Sequence, residues 1–423
     1  MAQSTTHLLG GDKAPLCITG TGLISAAGRG IHRLAESLLE KRSHLGRLER
    51  IRGVNPTDSG GEIPNASLGV PAEDTEGGKR ALALARAALE EALGAATGRG
   101  KEISREKVGL AVGSALGPVE EVEAWIASEA PLTPARLREM SFESFVERLA
   151  ETAPPRGEGL GGPRSAFSVT CASGLCALEQ AAADLAFGRA DAMAVGALDT
   201  LSCVMQAGFS SLQALSPTGR LRPFDVEHDG IVLGEAAAFV VIESLRAARS
   251  RQAEVRACVL SHRLSSDGFH LTSPDPSGAT MSRAIRRALA DAGLKPEEVG
   301  CITVTAAGSP IYDSMLSLAV EDALGTASRR VPVTTWEPAV GHALAATGVL
   351  ALAHACWLLD AGSVHPVFDV NEVDPSSTLS YVLEQPVPLA TPVVLTLIVG
   401  FGGQNGVCVL ASPEVASDLE PNR

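Results

Sequence analysis

A cysteine between a short strand and a helix is the feature of this sequence best suited to covalent chemistry. Residues 166–169 predict a strand, a sharp turn follows at Cys171, and residues 177–185 have the composition of a helix. The partial positive charge and free N–H groups at a helix start favour a thiolate over a thiol. Small neighbouring residues leave space for a substrate carbonyl, so the pattern predicts a nucleophilic cysteine that carries an acyl group. The alternative is a buried structural cysteine, as most free cysteines are.

Two further junctions have side chains or backbone groups suited to the same chemistry. His342 follows Gly341 and precedes an alanine-rich predicted helix at 343–359. An imidazole there can donate a hydrogen bond to a thioester carbonyl or move a proton, although a capping or core histidine is the alternative. The glycine-rich segment 400–403 follows a predicted strand at 393–399. Its backbone N–H, with that of Cys171, can form an oxyanion hole, and an ordinary glycine turn is the alternative.

The elements that position these junctions alternate between short apolar strands and helices. This alternation predicts parallel α/β layers with helices on both faces. The second half repeats the order of the first without a linker, which indicates a duplicated fold that shares one core. We expect one half at 15–250 with Cys171 and the other at 251–412 with His342 and the glycine-rich loop. Residues 128–163 predict a surface excursion with helices at 134–140 and 142–151.

Composition excludes several classes of protein. The net charge of −14 argues against nucleic acid and anionic membranes as partners. No apolar run reaches the roughly 18–20 residues of a membrane span, and the polar N-terminus, residues 1–15, has no signal-peptide pattern. Eight cysteines lack disulfide-like or metal-like spacing, which indicates reduced thiols, a cytoplasmic location and no metal site. We predict no cofactor.

Six motifs together resemble the β-ketoacyl-acyl carrier protein synthase family, the condensing enzymes of fatty acid and polyketide synthesis. They lie at residues 18–22, 170–174, 222–225 with 234–235, 267–274, 341–342 and 400–405, and the resemblance runs over about 15–411. It implies a thiolase-like α/β fold of two similar halves in five layers, α-β-α-β-α, and usually a dimer. It also implies a ping-pong reaction. An acyl group moves from an acyl carrier protein or coenzyme A thioester to the cysteine, and the carbanion left by malonyl decarboxylation then attacks it.

The resemblance also implies roles for individual residues. Cys171 matches the nucleophile, and His342 matches the second histidine of the family's Cys-His-His triad. The backbone N–H groups of Cys171 and Phe401 match the oxyanion hole, and Phe401 matches the gate of the acyl pocket. The positions that match substrate-binding residues are His270, Thr272, Gly402 and Gly403.

The sequence departs from the family at two positions. Ala307 stands where the family has its first active-site histidine, and no histidine occurs between His270 and His342. The loop from Ala307 to Asp313 is also two residues shorter than in the family. Glu337 replaces a lysine five residues before His342. An ionised Glu337 near His342 is expected to raise the pKa of that histidine, favour the imidazolium and repel the carboxylate of malonate.

Two functions remain open. The first is an acyl-cysteine enzyme with weakened decarboxylative condensation, which accepts acyl groups from an acyl carrier protein or coenzyme A thioester and passes them to another acceptor. The second is a non-catalytic partner of an active ketosynthase, similar to a chain-length factor. Ala307 and Glu337 favour the second, whereas the intact Cys171 argues against it because those subunits typically lack the cysteine. We expect a homodimer or a heterodimer with another ketosynthase.

Overall fold

In the described residues, the N-terminal half of the chain contributes five consecutive neighbouring strands to the main sheet. The computed structural model describes residues 15–51, 53–54, 57–68, 79–98, 100–154 and 158–419, so the predicted polar N-terminus lies almost entirely outside the described residues. The strands of this half lie in the order β3-β2-β4-β5-β1. Strand β2 is parallel to β3 and β4, and β5 is antiparallel to β4 and β1. Their bounds are Leu16–Ser25 (β1), Val108–Gly113 (β2), Arg164–Phe167 (β3), Ala192–Asp199 (β4) and Ala236–Ser244 (β5).

The C-terminal half repeats this arrangement. Its strands are Ala257–Ser266 (β6), Cys301–Val304 (β7), Pro332–Thr334 (β8), Ser380–Tyr381 (β9), Val393–Gly400 (β10) and Gln404–Ala411 (β11). They lie in the order β8-β7-β10-β11-β6, with β9 added outside β8. Strand β7 is parallel to β8 and β10, and β11 is antiparallel to β10 and β6. The same order and directions in both halves confirm the predicted duplication.

The two halves join where β1 and β6 run antiparallel, through the pairs Leu16–Val259, Cys17–Cys258 and Ile18–Ala257. The predicted parallel pairing is present in both halves, but each half also contains antiparallel pairs, which were not predicted. The connection between β10 and β11 is a single turn, Phe401–Gly403, and so short a connection permits only an antiparallel pair. Buried strands have the same apolar composition in either direction, so local sequence does not reveal the difference.

Helices cover and separate these strands. In the described residues they are Ile31–Leu39 (α1), Arg80–Thr97 (α2), Val119–Ala127 (α3), Pro134–Glu139 (α4), Phe142–Glu151 (α5), Ser173–Ala186 (α6), Cys203–Ser211 (α7), Leu245–Ser250 (α8), Ala279–Ala292 (α9), Pro310–Leu324 (α10), Glu337–Val340 (α11), Ala346–Ala361 (α12) and Pro413–Leu419 (α13). None of the described helices is both long and apolar enough to cross a bilayer.

Three apolar clusters show the layer order. The first packs α6 and α12 against the inner faces of β4, β5, β10 and β11. The second packs α2 against the other face of β4 and β5, and the third packs α9 and α10 against the other face of β10 and β11. The result is the predicted α-β-α-β-α succession, with α6 and α12 as the central layer.

The central helices approach each other closely at their first turns. A Cβ on Gly174 of α6 would lie 3.0 Å from Val349 Cγ2 and 3.1 Å from the Ala345 carbonyl oxygen at the start of α12. A Cβ on Gly348 of α12 would lie 3.3 Å from the backbone nitrogen of Leu175 in α6. Close packing of small residues therefore brings together the two loops that precede these helices, which carry Cys171 and His342.

The predicted surface excursion begins earlier than expected, at α3. Its predicted helices are confirmed as α4 and α5, whose N-caps are the side chains of Thr133 and Ser141. Residues 155–157 of this segment lie outside the described residues. The excursion exposes three large apolar side chains, which are Ile126, Leu132 and Leu137.

Candidate active site

The nucleophile turn connects β3 to α6 and is held by short-range hydrogen bonds. The Ser173 hydroxyl accepts from the Val169 N–H at 2.8 Å and donates to the Thr170 carbonyl at 2.6 Å. Thr170 has φ 51°, a left-handed conformation that is rare for a β-branched residue. Cys171 follows directly, two residues before the start of α6, and is buried. The predicted turn and helix are therefore present, and strain in the turn points to a functional position.

A second tight turn places His342 beside the thiol. The Gly341 N–H donates to the Glu337 carbonyl at 2.7 Å, and the φ of 85° at Gly341 then reverses the chain. The His342 N–H donates to the Val232 carbonyl at 2.9 Å, which fixes the backbone of the histidine. Its Nε2 lies 3.2 Å from Cys171 Sγ. The structure therefore brings the thiol and imidazole from the two halves into hydrogen-bond contact.

Glu337 completes a line of three side chains. Its Oε1 lies 2.6 Å from His342 Nδ1, on the opposite side of the ring from Cys171. Burial alone would lower the pKa of His342, but the negative charges of Glu337 and Cys171 and their hydrogen bonds raise that pKa well above its usual range. The direction of this shift agrees with the expectation for Glu337, and the repulsion of malonate stays a prediction.

The glycine-rich turn lies against the nucleophile turn. The Thr170 hydroxyl donates to the Phe401 carbonyl at 3.0 Å. A Cβ on Gly400 would lie only 2.8 Å from Thr170 Oγ1, so a side chain there would separate the two turns. Gly402 and Gly403 have φ 77° and 67°, and the Gly402 N–H donates to the Leu271 carbonyl at 2.7 Å. The oxyanion role of the Cys171 and Phe401 N–H groups stays a prediction.

The wall around the thiol is apolar. One cluster contains Cys171 and Ala307 together with Met205, Phe209 and Leu344, and Phe401 packs against it. The methyl group of Ala307 offers no hydrogen-bond donor on this side of the site. Its position beside Cys171 in the cluster agrees with the expectation that the family's first histidine is missing there. The substitution thus leaves His342 as the imidazole that contacts the thiol.

His270 and Thr272 lie at the edge of the site. His270 is exposed, and its Nδ1 accepts a hydrogen bond from the Thr272 N–H at 3.1 Å. The Thr272 carbonyl accepts from the Tyr312 hydroxyl at 3.1 Å. The ring of His270 therefore bonds its own loop and not the thiol, and the substrate-binding role of these residues stays a prediction.

Tyr312 is a site residue that sequence reasoning missed. Its ring lies 6.1 Å from that of Phe401, which in turn stacks on Phe209 at 5.1 Å. Burial raises the pKa of Tyr312, and the charges of Cys171 and Asp267 raise it further, so the phenol is neutral and within electrostatic reach of the thiol. The available signal was its place on the first turn of α10, right after the altered loop at Ala307.

Among the residues that the structure describes, no group of three or more histidine, cysteine, aspartate or glutamate side chains has an arrangement that could hold a metal ion.

Comparisons with known proteins agree over most of the chain. The family model for the β-ketoacyl synthase N-terminal domain matches residues 13–248, and that for the C-terminal domain matches residues 256–371. A curated 3-oxoacyl-[acyl-carrier-protein] synthase 2 from Synechocystis is 27% identical over 403 residues, which is 93% of this chain and 97% of the relative. The protein of that name from Coxiella burnetii is 27% identical over 410 residues, covering 95% and 99%.

Solved structures give the same result. A β-ketoacyl synthase from Burkholderia phymatum has a TM-score of 0.83 and 26% identity, and covers 94% of this chain and 99% of its own. A type II polyketide ketosynthase in complex with its acyl carrier protein has a TM-score of 0.83 and 25% identity, with the same coverage. The ishigamide ketosynthase/chain length factor has a TM-score of 0.82 and 25% identity, again covering 94% and 99%.

Proposed function

Because this chain belongs to the β-ketoacyl synthase family and is ketosynthase-like, we propose that it is an acyltransferase of fatty acid or polyketide biosynthesis. The acyl group is carried on Cys171. It comes from an acyl carrier protein or coenzyme A thioester, and decarboxylative condensation is impaired. The thiolase-like halves at 15–250 and 251–412 contribute Cys171 and His342, respectively.

The single observation that carries this proposal is the contact of 3.2 Å between Cys171 Sγ and His342 Nε2. The raised pKa of His342 favours an imidazolium in contact with the Cys171 sulfur, at the start of α6. A thiolate is the form that attacks a thioester carbonyl. His342 then returns its proton to the departing thiol of the carrier, while the backbone N–H groups of Cys171 and Phe401 receive the oxyanion.

Weak condensation follows from the same geometry. Decarboxylation needs donors directed at the developing enolate oxygen, and one lost donor of this type costs about 10²–10³ in rate. Ala307 supplies no donor, and the buried Glu337 carries negative charge next to the imidazole that remains. We therefore expect acylation of Cys171 without malonyl decarboxylation at a rate typical of the family.

Intact-protein mass spectrometry after incubation with hexanoyl-coenzyme A or a hexanoyl carrier protein tests the proposal. The native chain is expected to gain one acyl group, and Cys171→Ala none. Cys203 is the matched control, because it is an exposed free cysteine and Cys203→Ala is expected to acylate normally. No adduct on the native chain, alone or with an active ketosynthase, would overturn the proposal. The eight cysteines form no disulfide with one another, and we propose that the protein works in the reducing cytoplasm.

A second candidate function is a partner subunit similar to a chain-length factor. Ala307 favours it, since a subunit that does not condense has no need of the first histidine. Two of the similar solved structures are ketosynthases with a chain length factor. Co-expression with an active ketosynthase distinguishes the two candidates. A stable heterodimer whose product length changes, and whose activity survives Cys171→Ala, would favour the partner role over the enzyme.

A further inference from the structure

We infer that Glu337 positions His342 as a general base, so that the acyl group leaves Cys171 for an oxygen nucleophile, either water or an alcohol. This inference rests on the proposed acylation of Cys171 and identifies the acceptor by its chemistry. Within that scheme Glu337 is a positioning residue, since it contacts the imidazole and not the thiol.

The geometry is that of a nucleophile, a base and an orienting carboxylate in line. Cys171 Sγ lies 3.2 Å from one ring nitrogen of His342, and Glu337 Oε1 lies 2.6 Å from the other. An ionised carboxylate only accepts hydrogen bonds, so the proton of the second contact belongs to Nδ1. Nε2 is then the nitrogen that takes or gives a proton at the thiol, as in triads that move acyl groups to oxygen.

The carboxylate is held firmly in this position. Glu337 is fully buried at the start of α11, and the hydrogen bond from the Gly341 N–H to its carbonyl closes the turn between the two residues. Its Oε2 has no hydrogen-bond partner among the described residues. No other side chain therefore competes with His342 for this carboxylate. The resemblance implies a lysine at position 337. Glu337 therefore replaces a cation with a carboxylate that becomes the third member of a triad with Cys171 and His342.

Acylation changes the charge that acts on His342. In the free protein, the charges of Cys171 and Glu337 together raise the pKa of His342 against the effect of burial. A thioester on Cys171 is neutral, so one of the two charges disappears when the acyl group is attached. His342, which has given its proton to the departing thiol, then remains neutral more readily and is available as a base when an acceptor must be deprotonated. Glu337 keeps its orientation and stabilises the imidazolium that forms.

The second half-reaction follows from these positions. His342 Nε2 removes the proton of the acceptor hydroxyl while the oxygen attacks the thioester carbonyl. The C–S bond then breaks, the sulfur leaves as the Cys171 thiolate, and the acceptor keeps the acyl group. The imidazolium and thiolate of the starting state are restored. Condensation has no comparable use for a base, since its carbanion arises by loss of CO2 and needs donors that Ala307 does not supply.

A single-turnover experiment separates this inference from the proposed function. The native chain is acylated with hexanoyl-coenzyme A, freed of excess reagent, and followed by intact-protein mass spectrometry in buffer, with glycerol, and with malonyl-coenzyme A. We expect the adduct to decay in buffer or with glycerol, and the product, free acid or glycerol ester, identifies the acceptor. Glu337→Gln is expected to form the adduct and lose it about 10²-fold more slowly.

The pH profile of decay distinguishes positioning from simple structural damage. Decay requires neutral His342, so its rate rises with pH through the pKa of that histidine. Loss of the carboxylate in Glu337→Gln lowers this pKa and shifts the inflection of the pH profile to lower pH. Glu337→Asp keeps a carboxylate and is expected to keep the inflection near its native pH. The groups acting on His342 are Glu337 and Cys171, and further titratable groups in electrostatic reach of these two are Tyr312 and Asp313, the latter bonded to His228.

Glu120 supplies the matched control. It too is a buried glutamate with one bonded and one unpartnered oxygen, but its partner is Arg50. Glu120→Gln is expected to leave adduct decay and its pH profile unchanged. The inference would be overturned if the acyl adduct of the native chain were stable in buffer and glycerol but consumed by malonyl-coenzyme A. It would also be overturned if the Glu337→Gln variant lost its adduct at the same rate as the native chain. Absence of any adduct would overturn the proposed function and, with it, this inference.

Discussion

Gly113 at the end of β2 controls the position of the nucleophile from a distance, and Gly113→Ala makes this measurable. A Cβ on Gly113 would lie 2.5 Å from the carbonyl carbon of Ser173, 2.7 Å from its oxygen and 2.8 Å from the Gly174 nitrogen. All three atoms belong to the backbone of the first turn of α6. Ordinary contact begins near 3.4 Å, so strand and helix must separate by about 0.9 Å.

That displacement is large compared with the geometry of the site. A displacement of about 0.9 Å along the Cys171–His342 contact of 3.2 Å would lengthen it beyond hydrogen-bond distance, even for sulfur. A misplacement of about 1 Å costs on the order of 10² in rate, so we expect Gly113→Ala to be acylated about 100-fold more slowly. Forcing a methyl group into this packed junction is expected to lower the free energy of unfolding by about 1–3 kcal/mol.

Rapid-quench mass spectrometry of the acyl adduct and unfolding in urea measure the two effects. Gly94→Ala is the control, because Gly94 is exposed in the interior of α2 and an added Cβ meets nothing within 4 Å. The free energy of unfolding of Gly94→Ala is expected to be about 0.5–1 kcal/mol higher than that of the native chain, and Cys171 is expected to be acylated at the native rate. Acylation of Gly113→Ala at the native rate would refute the argument that β2 sets the position of the first turn of α6.

Two other predictions concern different parts of the fold. The native chain is expected to release negligible labelled CO2 from malonyl-coenzyme A, and Ala307→His with Glu337→Lys to release at least about 10-fold more, because it restores a donor and removes a repelling charge. Family-typical release by the native chain would contradict this reasoning. Burial lowers the pKa of His365 to about 4, from about 6.5 unfolded, so the unfolded state binds more protons between these values. The free energy of unfolding in urea should therefore decline from pH 6.5 to 4, with up to about 3 kcal/mol due to His365, and His365→Gln should reduce that decline. If the free energy of unfolding declined equally in the native chain and in His365→Gln, this would show that His365 is not held neutral in the folded state.

Local signals in the sequence were sufficient for part of the site. The strand, the small residues and the alanine-rich run around Cys171 are contiguous, so the turn could be predicted without knowing the fold. The effect of Glu337 on His342 was also predictable in direction, since the residues lie five positions apart. Its geometry was not, because it depends on the one-turn helix α11 and on the φ of 85° at Gly341.

Other features depend on contacts between distant segments. Tyr312 reaches Phe401 because α10 packs against β10, and its place just after the altered loop at Ala307 does not by itself reveal that long-range contact. Helix α7, which contributes Phe209 to the apolar wall, was not predicted. The antiparallel pairs were missed for a related reason, since a strand buried on both faces has the same composition whichever way it runs.

Because the strand order is repeated, Cys171 and His342 lie at structurally equivalent positions in the two halves. Cys171 lies between β3 and the central helix α6, and His342 lies between β8 and the central helix α12, where β3 and β8 hold the same place in each half. Two identical half-length chains paired about a twofold axis would bring two copies of one loop together, and every mutation would appear on both sides. In a single chain that contains both halves, a mutation changes the loop of one half and leaves the equivalent loop of the other half unchanged. This asymmetry is what allows a thiol on one side of the axis and an imidazole with its carboxylate on the other.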